Sequence, residues 1–259
     1  MTIPPAASPD RIFDLSGRRV LVTGASSGLG RRMAQVLVQA GATVAVTARR
    51  AERLEELAGE SDAIVPFPAD LASASDREAL VAAVEERLGG IDVLVNNAGT
   101  ADPKPIERES LDDFMHMLEV NLVSAWHLSK LAGVGMVERG DGSIVNIASI
   151  IGLVAATPIK QTGYPAAKGG LVTLTKELAV QWARKGVRVN AICPGWFETE
   201  MTEELVGTEK GDDFIASNTP LQRAGQVHEI DGALLLLASD AGSYITGSTL
   251  VVDGGWTAR

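Results

Sequence analysis

Tyr164 and Lys168 stand four residues apart in YPAAK, and on an α-helix that spacing puts both on one face. A phenol ordinarily titrates at about 10. An ammonium beside it favours the phenolate and draws that value down. A tyrosine so placed can act as a general acid or base near neutral pH. Pro165 is tolerated in a first helical turn, which puts Tyr164 at the helix entry. Such pairs are common on helices, so this one needs a second signal, and VLVTGASSGLG (20–30) supplies it. An apolar run meets Gly24, Gly28 and Gly30 in the spacing T-G-x-x-x-G-x-G. It is not a P-loop, because Arg31 and Arg32 stand where Lys and Ser/Thr would follow. Nor is it the G-x-G-x-x-G fingerprint. A helix starting there would still turn free N–H groups and the positive end of its dipole toward an anion, and a pyrophosphate fits. Gly24 would permit the tight exit from the strand, while Gly28 and Gly30 would let phosphate approach and the helix pack on the sheet. Thr23, Ser26 and Ser27 add hydroxyl donors. A glycine turn without a ligand is the alternative; three glycines and three hydroxyls directly after the first strand weigh against it.

These residues need a scaffold, and the chain reads as one that alternates. Strands are expected at 20–23, 43–48, 63–67, 91–95, 143–148, 187–192 and 248–253, each with an apolar core. Between them, Leu29, Met33, Val36, Leu37 and Ala40 fall on one helical face, and Gly41 stops that helix. Further helices are expected at 50–59, 73–89, 111–137, 164–185 and 227–238. Apolar strands alternating with amphipathic helices predict an α/β fold, a doubly wound parallel sheet with helices on both faces. No linker divides the chain, so residues 15–259 are read as a single domain behind a loose N-terminal arm, 1–14. The stretch 194–220 reads as irregular. Lying beyond a strand's carboxyl end, where such folds bind ligands, it is a candidate lid.

Composition narrows the partners. The net charge of −10 argues against nucleic acid and anionic membranes. The single cysteine, Cys193, precludes an internal disulfide and suits a reducing, cytoplasmic setting. The N-terminus lacks a signal-peptide core, and ALLLLA (233–238) is too short to span a bilayer. His116, His127 and His228 have no metal-ligand spacing, so no metal is expected. Cys193 reads as a small buried residue, and DREALVAAVEERLG as an outer helix with a solvated charged face.

TGASSGLG, NNAG (96–99), Ser149, YPAAK (164–168), PGWFET (194–199) and VVDGG (251–255) follow one another in order. Together they resemble the short-chain dehydrogenase/reductase family in its common 250-residue form, from about Leu15 onward. The resemblance implies a seven-stranded Rossmann sheet and a nicotinamide dinucleotide held along Gly24, Ser26, Ser27, Gly28, Leu29 and Gly30. It implies that Tyr164 passes the proton to or from the substrate oxygen, and that Lys168 also holds the nicotinamide ribose. Ser149 would hydrogen-bond the reacting oxygen. Asn121, in EVNLVS, matches the position that supports a water-mediated proton path through the lysine. Ser149 lies 15 residues before Tyr164, a longer spacing than expected, with the extra length in ATPIKQTG. Ser143 is too far upstream to replace it, and Thr157 lies in the insertion. Asp70, beside Leu71, matches the adenine contact or is a turn aspartate. Asn97, Ala98 and Gly99 would flank the adenosine ribose, with Asn96 stabilising the sheet edge. Thr199 would meet the carboxamide, Pro194 and Gly195 turning beneath it. Trp196, Phe197 and Met201 would wall the substrate side, unless they are core.

The second strand carries Ala48 where an NAD site usually has Asp or Glu, and Arg49 and Arg50 follow. Guanidinium suits a 2′-phosphate, so NADP(H) is favoured over NAD(H), with Arg49 the better candidate; pairing with Glu52 or Glu55 is the alternative. The leading expectation is an NADP(H)-dependent reductase or dehydrogenase acting on a small ketone, aldehyde or secondary alcohol. A 3-oxoacyl-(acyl carrier protein) reductase is second, disfavoured by the acidic stretch 198–213 facing an acidic carrier. A polyol, sugar or steroid dehydrogenase and a non-catalytic dinucleotide sensor complete the alternatives. The resemblance also implies a homotetramer built through the helices at 111–137 and 164–185 and the C-terminal strand.

Overall fold

Each apolar strand divides its side chains between two cores. The computed structural model describes residues 9–155 and 159–259. Its strands are β1 (Arg19–Thr23), β2 (Thr43–Thr47), β3 (Ile64–Pro66), β4 (Val93–Asn96), β5 (Gly142–Ile147), β6 (Val187–Pro194) and β7 (Thr249–Val252). They form one parallel sheet in the order β3-β2-β1-β4-β5-β6-β7. Val20 and Val22 of β1, Val44 and Val46 of β2, and Val93 and Val95 of β4 face one core. Leu21, Ala45 and Leu94 between them face the other, as period-two geometry requires. The first core is closed by α2 (Gly28–Gln39), α3 (Ala51–Ala58) and α9 (Asp231–Ala238) through Met33, Leu37, Leu54, Leu57, Leu234 and Leu237. The second is closed by α4 (Ala74–Leu88), α6 (Ser124–Arg139) and α7 (Gly163–Trp182) through Leu80, Val84, Leu128, Met136 and Leu178. Truncating one such leucine to alanine removes about 2–5 kcal/mol.

The order reverses between β1 and β4, so the crossovers leave in opposite directions there and open a crevice at the strands' carboxyl ends. A buried polar chain stiffens its floor. The Asn96 amide donates to Asn146 Oδ1 (2.9 Å) and Ser129 Oγ (3.0 Å), and the Asn146 amide donates to Thr175 Oγ1 (2.9 Å). Asn96 therefore ties the centre of the sheet, where β4 lies, and not its edge as expected.

Four further departures from the sequence reading have local causes. The expected helix 111–137 is α5 (Leu111–Leu118) and α6 joined by a π-helical turn, Glu119–Val123. Within 194–220, read as irregular, lie a 3₁₀ turn, Glu200–Thr202, and α8 (Glu209–Asn218). The latter is short and polar, capped by Thr208 and packed through Ile215 and Phe214, so tertiary contact and not periodicity makes it. Of the arm 1–14, residues 1–8 lie outside the described residues, and Pro9–Ile12 forms one helical turn, α1. Finally, Arg77 of α4 is buried, not solvated. It donates to the Leu71 carbonyl (2.6 Å), Glu119 Oε1 (2.7 Å) and His127 Nδ1 (3.1 Å), tying the loop after β3 to the π-turn.

Candidate active site

The first turn of the crevice is built for an anion. β1 ends at Thr23 and α2 begins at Gly28, with φ of +68° at Gly24 and +54° at Gly28 that L side chains resist. A Cβ on Gly24 would lie 2.8 Å from Ala98 Cα, and one on Gly28 would lie 3.2 Å from the Thr199 side chain. Ser27 occupies the N-cap without making a side-chain cap, and the first turn of α2 holds no acid. Its N–H groups and dipole are therefore left for a ligand. One expectation changes here. Thr23 is buried, donating to the Val95 carbonyl (3.2 Å) and accepting from the N–H groups of Asn97 and Ala98 (2.9 Å each), so it offers nothing to a phosphate. Gly30 serves packing, because a side chain there would strike the Gly24 carbonyl.

At the inner end, Tyr164 sits in the first turn of α7, and Ser149 follows β5. Lys168 is buried, its Nζ donating to the Ile147 carbonyl (2.8 Å) and lying 5.7 Å from the Tyr164 ring centroid. Burial pushes the Tyr164 phenol above its ordinary range, and a hydrogen bond with the Ser149 hydroxyl pulls it partly back. Burial also pushes Lys168 down to about 8. The expected acidification of Tyr164 by Lys168 is thus not the governing effect in the chain by itself: Lys168 is out of water, Tyr164 is half-buried on the cavity wall, and the ammonium lies over the ring. Ser149 Oγ also accepts from the Ile151 N–H (3.2 Å).

Asn121 is buried in the π-turn and does not line the cavity. It stands behind Gly99. Its amide donates to the carbonyls of Thr100 (2.9 Å) and Met117 (3.0 Å) and accepts from the Thr100 N–H (3.2 Å). A Cβ on Gly99 would lie 2.7 Å from Asn121 Oδ1 and 3.4 Å from Lys168 Nζ, so these two groups converge on bare backbone. Cys193, beneath them, is buried with its thiol pushed up to about 11, an inert packing residue.

The outer end is charged. Arg50 donates to Ser26 Oγ (2.9 Å), Ser27 Oγ (2.8 Å) and Glu200 Oε2 (2.9 Å), and Arg53 pairs with the other oxygen of Glu200. Their hydrogen bonds, that of Arg53 first, hold the Glu200 carboxyl down to about 2. The partner of Arg50 is therefore neither Glu52 nor Glu55 but an acid some 150 residues away. Arg49 is exposed and, among the described residues, makes no hydrogen bond or ion pair. Asp70 accepts from the Ala72 N–H (3.0 Å), the turn contact, while facing the cavity. Thr199 caps the 3₁₀ turn that carries Glu200, and Gly195 passes against Asp253.

One cavity of about 790 Å³ joins both ends and is lined by every expected site residue except Thr23 and Asn121. Trp196 packs edge-on to Phe214 and Trp256, Phe197 belongs to the core while touching the cavity, and Met201 is exposed at the mouth. The sequence reading did not single out Glu200, Arg53, His116, Gln161 or Glu204. Two buried atoms without hydrogen-bond partners among the described residues, Gln161 Oε1 and Trp196 Nε1, belong to residues on this wall. Gln161 falls three positions before Tyr164, which places it on the approach to α7 and was the one available signal. Thr157 lies outside the described residues. No group of His, Cys, Asp and Glu among the described residues could hold a metal, and none of their helices is long and apolar enough to cross a membrane.

Comparison with known proteins agrees with this fold. Residues 24–257 match the family described as Enoyl-(Acyl carrier protein) reductase. Gluconate 5-dehydrogenase of Gluconobacter oxydans is 39% identical over 96% of this chain and 98% of its own. A 3-oxoacyl-[acyl-carrier-protein] reductase of Vibrio harveyi is 37% identical over 94% and 98%. The crystal structure of a gluconate 5-dehydrogenase from Burkholderia cenocepacia, in complex with NADP and tartrate, superposes with a TM-score of 0.91 at 36% identity, covering 96% of this chain and 99% of that one.

Proposed function

Since the chain belongs to the short-chain dehydrogenase/reductase family, NAD(P)-dependent oxidoreductases acting on CH–OH and C=O groups, we propose that it is an NADP(H)-dependent reductase of uncharged ketones or aldehydes, run in reverse on secondary alcohols. The observation that carries this is the Tyr164–Ser149 hydroxyl pair at the inner end of a cavity whose outer end is an uncapped helix and arginines. The residues fit a dinucleotide: the glycine turn and the α2 N-terminus take its diphosphate, Asn97 to Gly99 flank its ribose, and Lys168 holds the second ribose. Bound there, the nicotinamide supplies or accepts the hydride. The chain's own groups handle the oxygen and its proton. Ser149 donates to the substrate oxygen and steadies its developing charge. Tyr164 gives that oxygen its proton in reduction and removes it in oxidation. Lys168 and Asn121, meeting behind Gly99, lead the proton onward to water.

Arg49 is the group that favours NADP(H): a guanidinium with no partner among the described residues, beside Ala48 where an acid would read a ribose hydroxyl.

The substrate wall supports an uncharged compound. It holds Val120, Ile151, Ile159 and Leu205 with His116, Gln161 and Glu204, and no lysine or arginine besides Lys168 among the described residues there. Of the two cations in the loop after β4, Lys104 is tied to Asp102 (2.7 Å) and Asp113 (2.9 Å), and Arg108 does not line the cavity. A sugar acid would bring a carboxylate to this wall without a free cation to meet it. NADPH oxidation with neutral diketones and ketoesters, against 5-ketogluconate, tests this. A higher kcat/KM on the acid would reverse the substrate assignment while leaving the reaction class intact.

The single buried cysteine accords with a cytoplasmic setting. A homotetramer is supported by exposed apolar side chains on α5, α6 and α7: Leu111, Met115, Trp126, Val134 and Val180.

A further inference from the structure

Glu200 is an acid held in a place that ought to attract an anion from outside. It stands on the 3₁₀ turn that opens the segment after β6, just past Thr199, whose side chain abuts Gly28 of the phosphate turn. Its two oxygens take Arg50 (2.9 Å) and Arg53, and Arg50 also holds Ser26 and Ser27. The arrangement is two guanidinium groups, two hydroxyls and one carboxylate, half exposed at the rim of the crevice. Guanidinium forks are the usual partners of phosphate, and hydroxyls complete such sites.

We infer that Glu200 is an internal counter-anion that competes with the cofactor's 2′-phosphate for Arg50 and Arg53, so that it sets the strength of cofactor preference and couples the 194–220 segment to cofactor occupancy. This rests on the NADP(H) reading above. The physical case is one of charge. A carboxylate brings one negative charge and a phosphate monoester nearly two, each paired through charge-assisted hydrogen bonds. The dianion therefore wins the arginines, but from a charged rival and not from water, and its gain is the difference between the two. Arg49, unpaired among the described residues, gives the phosphate a first foothold without displacing anything. Once the arginines turn to the phosphate, Glu200 is left facing a like charge, and the turn that carries it is pushed outward. A cofactor lacking the phosphate leaves the Arg50–Glu200 bridge in place.

The probes are 2′,5′-ADP and 5′-AMP, which differ at the phosphate in question and need no turnover. Binding is measured by calorimetry on the full-length wild-type chain, E200Q and E200A. The inference expects both variants to bind 2′,5′-ADP about three- to tenfold more tightly, with 5′-AMP unchanged within twofold, in keeping with the modest energies of exposed ion pairs. It also expects protease cleavage within 194–220 to be faster in both variants without ligand. Equal tightening or weakening of both probes would overturn it, making Glu200 a general strap over the crevice. So would wild-type affinity for 2′,5′-ADP in both variants. If the wild-type chain does not prefer 2′,5′-ADP over 5′-AMP at all, the NADP(H) reading falls first and this inference with it.

Discussion

At the inner end of the crevice, Lys168, Ser149 and Asn121 are buried and Tyr164 is half-buried, standing on helices or, for Ser149, just past β5, and they take their bonds largely from backbone. At the outer end, Arg49, Arg50, Arg53 and Glu200 sit on turns or a helix's first residues and are exposed, Arg50 and Arg53 pairing with Glu200. The difference separates two demands. Proton transfer needs a group fixed to fractions of an ångström in low dielectric, where burial can move its titration. Recognition of a charged handle needs only reach and sign, and side chains in water supply that at small energies. Losses at the inner end should be large and specific to chemistry; losses at the outer end should be small and specific to the cofactor.

The steepest test is Tyr164→Phe. Removing the hydroxyl should lower kcat/KM by about 10²–10⁴-fold, with cofactor affinity unchanged by equilibrium fluorescence titration. Retained turnover would dissolve the distinction between the ends.

Lys168→Met comes next and cuts both ways. The folded chain holds the lysine proton less tightly than the unfolded chain, about 8 against an ordinary 10.5. The charged lysine therefore opposes folding at neutral pH, and the penalty fades as pH rises from 8 toward 10.5. The variant should lose most activity yet melt a few degrees higher at pH 7; a lower Tm would mean that the Ile147 contact outweighs burial. The same value bears on wild-type kinetics. The pH profile of kcat/KM reports the ligand-free enzyme, so ketone reduction should be level through neutral pH and decline above about 8 as Lys168 loses its charge. A profile flat to pH 10 would remove Lys168 from the proton path.

Arg49→Ala, at the other end, should lower the NADPH/NADH ratio of kcat/KM by about tenfold, as loss of one charged hydrogen-bonding partner does, while leaving kcat with saturating NADPH within twofold. The smallest effect concerns the oligomer. Val180→Glu, on an exposed helical face, should shift sizing-column elution toward a smaller species with Tm little changed. Elution at monomer size for the wild type would end the tetramer reading.

How much of this was legible beforehand follows the same division. VLVT, TVAVT and IDVLV announce buried parallel strands because both faces are covered and their central runs, VLV, VAV and VLV, are wholly apolar. The glycines and YPAAK are local patterns whose geometry follows from spacing. Glu200 and Arg53 were not legible, since their pairing joins residues 147 apart through a turn with no periodicity. Arg77 was misread for a related reason: one buried guanidinium in a charged helix looks like its solvated neighbours until its three acceptors are in view. Helix α8 was hidden by its polar composition. The raised Tyr164 titration depends on desolvation, a property of the finished pocket.

The π-turn at Glu119–Val123 has a consequence for how this enzyme tolerates change in length. Such a turn accommodates a surplus residue within an otherwise ordinary helix. A chain one residue shorter between Met117 and Ser124 could wind the same span smoothly, with α5 and α6 still seated on their neighbours. Position 121 would then swing by about 100°, one residue's step around the axis, and its amide would leave the Thr100 backbone. The fold should survive that deletion and the proposed proton route should not, so a single missing codon there should give a well-folded protein that has forgotten its chemistry.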